Sequence, residues 1–271
     1  MPQKQGVLPE ADRLGVLIAS VLLTYALTRL VQSPQLIVTL DLPGFYFAYP
    51  LSLSTAMTLL AAGLTATGMD WFLRGHPGLG KRSTIEHWML PTLTALVIGA
   101  PLALLSDGPA WWVGFGIGAI LLAGVFLAEY VVVEPAAPHY ALARAGLTAL
   151  SYALFLILAT ALRFAAIRMF LLVPAIFISA GLISLRILHL DGVKRWDFPW
   201  AVGIGLICAQ LGAGLHYWPI TPIQFGLALI GPLYALTSLS ASLTENVPFN
   251  RAAVGPGILL GLAWGAAAFL R

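Results

Sequence analysis

The chain predicts an all-α, polytopic integral membrane bundle of about nine transmembrane helices, and three observations predict it. A hydrocarbon core roughly 30 Å deep needs about 20 apolar residues of helix at about 1.5 Å each. Stretches of that kind run over 14–31, 51–72, 87–105, 111–133, 141–162, 169–188, 198–215, 223–243 and 252–270. Hydrophobic residues make up 59% of the chain and charged residues only 9%, against about a quarter charged in soluble domains. Runs such as 117–125 and 171–178 are apolar on every side. Barrel strands would alternate apolar and polar, so the backbone satisfies itself in helices.

The first span follows Lys4 and Arg13, ends at Arg29-Leu30-Val31 and carries no small-x-small cleavage pattern, which predicts an uncleaved signal anchor. After it, 36–40 and 45–49 are rich in β-branched and aromatic residues around Pro43-Gly44, which predicts a hairpin. Two helix starts carry capping boxes: Ser83-Thr84-Ile85-Glu86 for span three and Thr221-Pro222-Ile223-Gln224 for span eight. Pro174, Pro232 and Pro256 are expected to kink their spans. The 163–168 connector has neither Gly nor Pro, so it is the boundary on which the span count depends. In span nine Ala253, Gly257, Gly261 and Gly265 form a small-residue stripe suited to close packing on a partner helix or a second copy of the chain.

Lysine and arginine gather in alternate connectors. Lys4, Arg13, Arg74, Lys81, Arg82, Arg144, Lys194, Arg195 and Arg251 share one side, while 33–50 has neither. That bias predicts a cytoplasmic N-terminus and an external C-terminus, with Arg163 and Arg168 as the exceptions. Trp71, Trp88, Trp196 and Trp200 then fall at the inner interface and Trp111, Trp112 and Trp218 at the outer one, with Trp264 mid-span. Connectors under 20 residues leave no room for a soluble domain. The chain reads as one transmembrane domain holding a weak parallel repeat, 81–165 against 194–271. Lys81-Arg82 with Trp88-x-x-Pro91 answers Lys194-Arg195 with Trp196-x-x-Pro199, and Phe115-Gly116 answers Phe225-Gly226.

Polar positions are few. The segment from Gly75 to Thr84 resembles a phosphate loop, but Arg82 stands where a magnesium-binding hydroxyl is required and no strand precedes it, which argues against nucleotide hydrolysis. Lys81 and Arg82 at a helix start remain candidates for a lipid phosphate, with Arg144 and Arg186. Glu129 lies about one turn inside span four and Arg186 at similar depth in span six; buried charges pair, so these two are expected to meet. Around them Glu134, His139, His189, Asp191, Arg195 and Asp197 outline an inner-face polar cluster. Glu129, Glu134 and His139 are its candidate bases.

No lysine or carboxylate lies near the midplane, which argues against retinal binding and central proton or sodium coupling. His-Glu-x-x-His, Gly-x-Ser-x-Gly and paired-aspartate patterns do not occur. The lone Cys208 has no disulfide or metal partner of its own kind. No metal or cofactor is expected, and the net charge of +3 sits at helix ends, so nucleic acid is not a partner. The leading expectation is a non-enzymatic membrane component that packs with lipids, a partner protein or its own copies. A carrier for an apolar or amphipathic solute, and a lipid-modifying enzyme using the inner-face cluster, are the alternatives.

Overall fold

The computed structural model describes residues 11–30, 36–42, 45–80, 83–106, 108–191 and 196–270. Its elements are α1 (Ala11–Leu30), β1 (Leu36–Leu42), β2 (Phe45–Leu51), α2 (Leu53–Leu73), α3 (Ile85–Leu104), α4 (Pro109–Val132), α5 (Tyr140–Phe164), α6 (Met169–Asp191), α7 (Phe198–His216), α8 (Pro222–Thr244), α9 (Phe249–Ala252) and α10 (Val254–Phe269). Among the described residues, nine helical segments are long and apolar enough to cross a membrane, the last being α9 and α10 together. Every expected span appears, with ends moved by about one turn at most. The expected hairpin is present as well, antiparallel from Leu36↔Leu51 to Leu42↔Phe45. Pro43 and Gly44 lie outside the described residues.

The chain divides into two compact units between Tyr140 and Ala141. In the first, α1 packs on α2 and α4, and α3 packs on α2 and α4. Its core holds Val21 and Tyr25 of α1, Met69 and Phe72 of α2, Ile98 and Leu102 of α3, and Leu122 and Phe126 of α4. The Tyr25 hydroxyl donates to the Ala95 carbonyl at 2.5 Å, so a buried phenol ties α1 to α3. In the second unit α6, α7 and α8 pack on one another and α10 packs on α8. Helix α5 meets α8 where Gly226 faces Leu156 and Thr160; a Cβ there would lie 2.5 Å from the Thr160 hydroxyl.

The turn on which the span count rests is sound. Helix α5 ends with the Ile167 amide donating to the Leu162 carbonyl and the Ala166 amide to that of Arg163. This is the two-bond C-terminal motif that places its next residue in the left-handed region, and Ala166 has φ 48°. Helix α8 ends the same way, with Val247 donating to Ser242, Asn246 to Leu243, and Asn246 at φ 60°. Asparagine tolerates that conformation; alanine carries a Cβ penalty. Ala166 is exposed. Ala166→Gly is therefore expected to stabilise the protein by up to about 1 kcal/mol, the strain relieved less the entropy glycine adds to the unfolded chain. A thermal melt in detergent checks this.

Two arginines hold the helix ends, one in each unit, in the same way. Arg29, the penultimate residue of α1, donates through Nη2 to the carbonyls of Leu105 (2.5 Å) and Leu102 (3.5 Å) at the end of α3. Its guanidinium lies over the Trp111 ring, 5.1 Å from the centroid. Arg163, the penultimate residue of α5, donates to the carbonyls of His216 (2.6 Å) and Trp218 (2.9 Å) at the end of α7. It lies over Phe225, 5.7 Å from that centroid. A helix end leaves four carbonyls unsatisfied, and a forked cation both bonds them and answers the negative end of the dipole. Trp111 is thus 3% exposed beneath Arg29. Trp112 and Trp218 do stand exposed.

Other local expectations divide. Thr221 forms its capping box, accepting from the Gln224 amide while Gln224 accepts from the Thr221 amide. The box at Ser83 does not form: α3 is capped by Thr84 without a side-chain bond, Ser83 Oγ accepts from the Ile85 amide instead, Glu86 turns to His87, and the Thr84 hydroxyl donates to Asp70 at 2.5 Å. Pro174 and Pro232 lie inside helices as expected. Pro256 lies just after Ala253, where the last span breaks into α9 and α10, the interruption expected of a proline that cannot donate to the carbonyl four residues back. Pro91 and Pro101 are further prolines inside α3.

Candidate functional site

In the first unit the polar side chains converge where α3 begins, α4 ends and the 74–84 turn passes. His87 is the third residue of α3 and lies on that helix's buried stripe with Leu90, Pro91 and Thr94. Glu129 is one turn from the end of α4 and fully buried. Its Oε2 lies 2.7 Å from His87 Nδ1. On the other side of the ring, Glu86 Oε1 lies 3.2 Å from Nε2. The ring thus lies between two carboxylates, one facing each nitrogen. A buried carboxylate in a membrane helix needs such a partner. Glu129 thus has the buried partner its depth demands, and within its own unit that partner is His87.

Beside this pair, His76 is buried against Tyr130, ring centroids 4.4 Å apart and inclined at 65°. Its Nδ1 accepts from the Gly78 amide at 2.9 Å, and its own carbonyl accepts from the Leu79 amide at 3.1 Å. Those amides of the glycine-rich turn close the turn on itself, and the resemblance to a phosphate cradle ends there. Burial, with a smaller push from His87, holds the His76 ring below its usual range near 6.5, while Glu134 pulls the other way. The unfolded chain therefore binds a proton more readily than the folded one. Stability from His76 is complete above about pH 6.5 and declines as the pH falls through that value. Acidification from pH 7 to 5 is expected to lower the melting temperature, and His76→Leu to flatten that slope.

Asp70 closes the outer edge of this turn. Its carboxylate takes Arg74 Nε at 2.7 Å on one oxygen and the Thr84 hydroxyl on the other. The end of α2 is thereby tied to the start of α3.

The remaining candidates separate. Glu134 follows α4, close to Gly78 and within electrostatic reach of His76. His139 is exposed on the turn before α5. In the second unit Arg186 is 1% exposed on α6, and one turn on, His189 stacks on Trp196 with centroids 4.6 Å apart. Arg144 is half-buried on α5. Glu129 and Arg186 belong to different units, and their pairing stays an expectation of the sequence. Lys81, Arg82, Lys194 and Arg195 lie outside the described residues, as does Asp107. Among the described residues no cluster of His, Cys, Asp and Glu is suited to a metal.

The glycine stripe of the last span does not serve the contact between α10 and α8. A Cβ at Gly257, Gly261 or Gly265 would meet nothing within 4 Å. The contact runs through Leu260, Ala263 and Trp264, which surround Gly231 of α8 at 3.0–3.6 Å from its notional Cβ. The Trp264 indole also donates to the Ala228 carbonyl at 3.1 Å. Gly231→Leu is expected to destabilise the protein by about 1–3 kcal/mol through overpacking, while Gly261→Leu leaves the monomer's melting temperature unchanged. If Gly261→Leu instead lowers the share of oligomer on a sizing column, the stripe is a face between copies.

Residues 32–270 match the family described as a protein of unknown function (DUF5656), and the chain belongs to that family. No curated protein and no solved structure matches it.

Proposed function

We propose that this chain is a non-catalytic integral membrane protein that acts by holding lipid, alone or with further copies. The observation that carries this reading is how the polar groups of the first unit are used. Both ring nitrogens of His87 face carboxylates, His76 is bound into its own turn, and both oxygens of Asp70 accept bonds. A general base needs a free lone pair within reach of a substrate proton. Glu129 is fully buried and turned to His87, which supports structure over turnover there. The test is incubation of the purified protein in nanodiscs with a total lipid extract. Co-purified lipid is expected to be retained chemically unchanged; a new lipid species that builds up with time would overturn the reading.

A carrier is the second reading, and the twin arginine clasps favour it. Arg29 with α3 and Trp111 corresponds to Arg163 with α7 and Phe225, four spans further on. Parallel repeats of this kind occur in transporters. Uptake of an amphipathic dye into proteoliposomes, abolished in the Arg29→Gln/Arg163→Gln variant, would favour the carrier over lipid holding.

A further inference from the structure

A groove open to the membrane runs between α1 and α2, lined by Val16, Leu17, Ser20, Leu64, Thr67 and Trp71, with a volume of about 250 Å³. Gly68 forms its floor: a Cβ there would lie 2.1 Å from Leu17, so the two helices are as close as a glycine allows. Val16 and Trp71 stand 58% and 45% exposed. The lining residues span five positions on α1 and eight on α2, about 6 Å and about 10 Å at about 1.5 Å per residue. Ser20 and Thr67 donate their hydroxyls to carbonyls of their own helices, so the groove presents carbon.

One end of this groove carries arginine. The Arg13 guanidinium lies over the Trp71 ring, 5.3 Å from its centroid, beside Gly75, whose missing side chain makes room for it. Arg74 stands exposed one turn beyond Trp71, with its Nε on Asp70. An apolar channel ending in arginine and an amphipathic indole matches an acyl chain that ends in an anionic headgroup. We infer that the α1–α2 groove is a binding site for one acyl chain of an anionic glycerophospholipid, whose phosphate meets Arg13. This rests on the lipid-holding reading and locates it.

The experiment is a thermal melt of delipidated full-length protein in detergent, titrated with phosphatidylglycerol or phosphatidylcholine. Phosphatidylglycerol is expected to raise the melting temperature more than phosphatidylcholine. Arg13→Gln should weaken phosphatidylglycerol about fivefold, the worth of one cation at an anionic surface, and Arg13→Lys should recover most of it. Thr67→Phe, at an exposed position, should fill the groove and remove the response to both lipids without lowering the lipid-free melting temperature. An equal response in the parent and both groove variants overturns the site and leaves lipid holding intact. A parent that responds to no lipid overturns the lipid-holding reading itself. An equal response to glycerol 3-phosphate alone overturns the acyl-chain assignment.

Discussion

Glu129→Leu is expected to destabilise the protein by about 3–5 kcal/mol, because it leaves the His87 ring buried without its closest acceptor. Glu129→Gln should cost less, since the amide oxygen still accepts from Nδ1. His87→Leu combined with Glu129→Leu replaces the pair by carbon. In a membrane helix that exchange is favourable once neither polar group is left behind, so the double variant should recover much of the loss. Melting temperatures of the four proteins in one detergent close the cycle. A double variant no more stable than Glu129→Leu alone would mean that Glu129 answers chiefly to another cation, and Arg186 is the one the sequence nominates.

The spans were legible because a bilayer imposes length and composition on every crossing helix, whatever its partners. The hairpin and the Thr221 box were legible because turn and cap chemistry acts over a few residues. What escaped was settled over longer distances. The Ser83 box failed where Glu86 turned to His87, which itself reaches Glu129 forty-two positions on. His87 was passed over as the first residue of a span, although its spacing to Leu90, Pro91 and Thr94 marked the buried stripe. Glu129 was recognised as needing a partner by its depth alone. The identity of that partner depends on how α3 lies against α4, which hydropathy does not encode.

The two arginine clasps show the same division. Trp-x-x-Pro and Phe-Gly pairs suggest a four-span offset in the sequence, and the clasps share that offset through residues that do not match in type. Trp111, not Phe115, stands where Phe225 does, under a guanidinium at the start of its helix. Phe115 lies one turn further in, stacked on Trp111 at 5.0 Å. Any flat ring serves a cation there, so Trp and Phe satisfy one requirement without resembling each other in sequence. The arginines look unrelated in the chain because Arg29 precedes the hairpin while Arg163 precedes a short turn.

That correspondence yields the last expected result. Arg29→Gln and Arg163→Gln should each destabilise by about 1–3 kcal/mol, the worth of charge-assisted bonds to carbonyls at a helix end. Arg163 is partly exposed, so its loss should fall toward the lower end of that range. The more telling comparison is lysine. An ammonium keeps the charge and some attraction to the ring, but it lacks the planar fork that serves two carbonyls from one side chain. Arg163→Lys should therefore lose the Trp218 or the His216 bond and retain less than half of the arginine's contribution; Arg29, which serves both carbonyls from Nη2, should lose chiefly its flat contact with Trp111 on change to Lys. If lysine restores full stability at both sites, the clasp is only a charge at a helix end. If it fails at both by similar amounts, the planar guanidinium is what each unit requires, and the equal response from two dissimilar sequences supports a common origin for the two units.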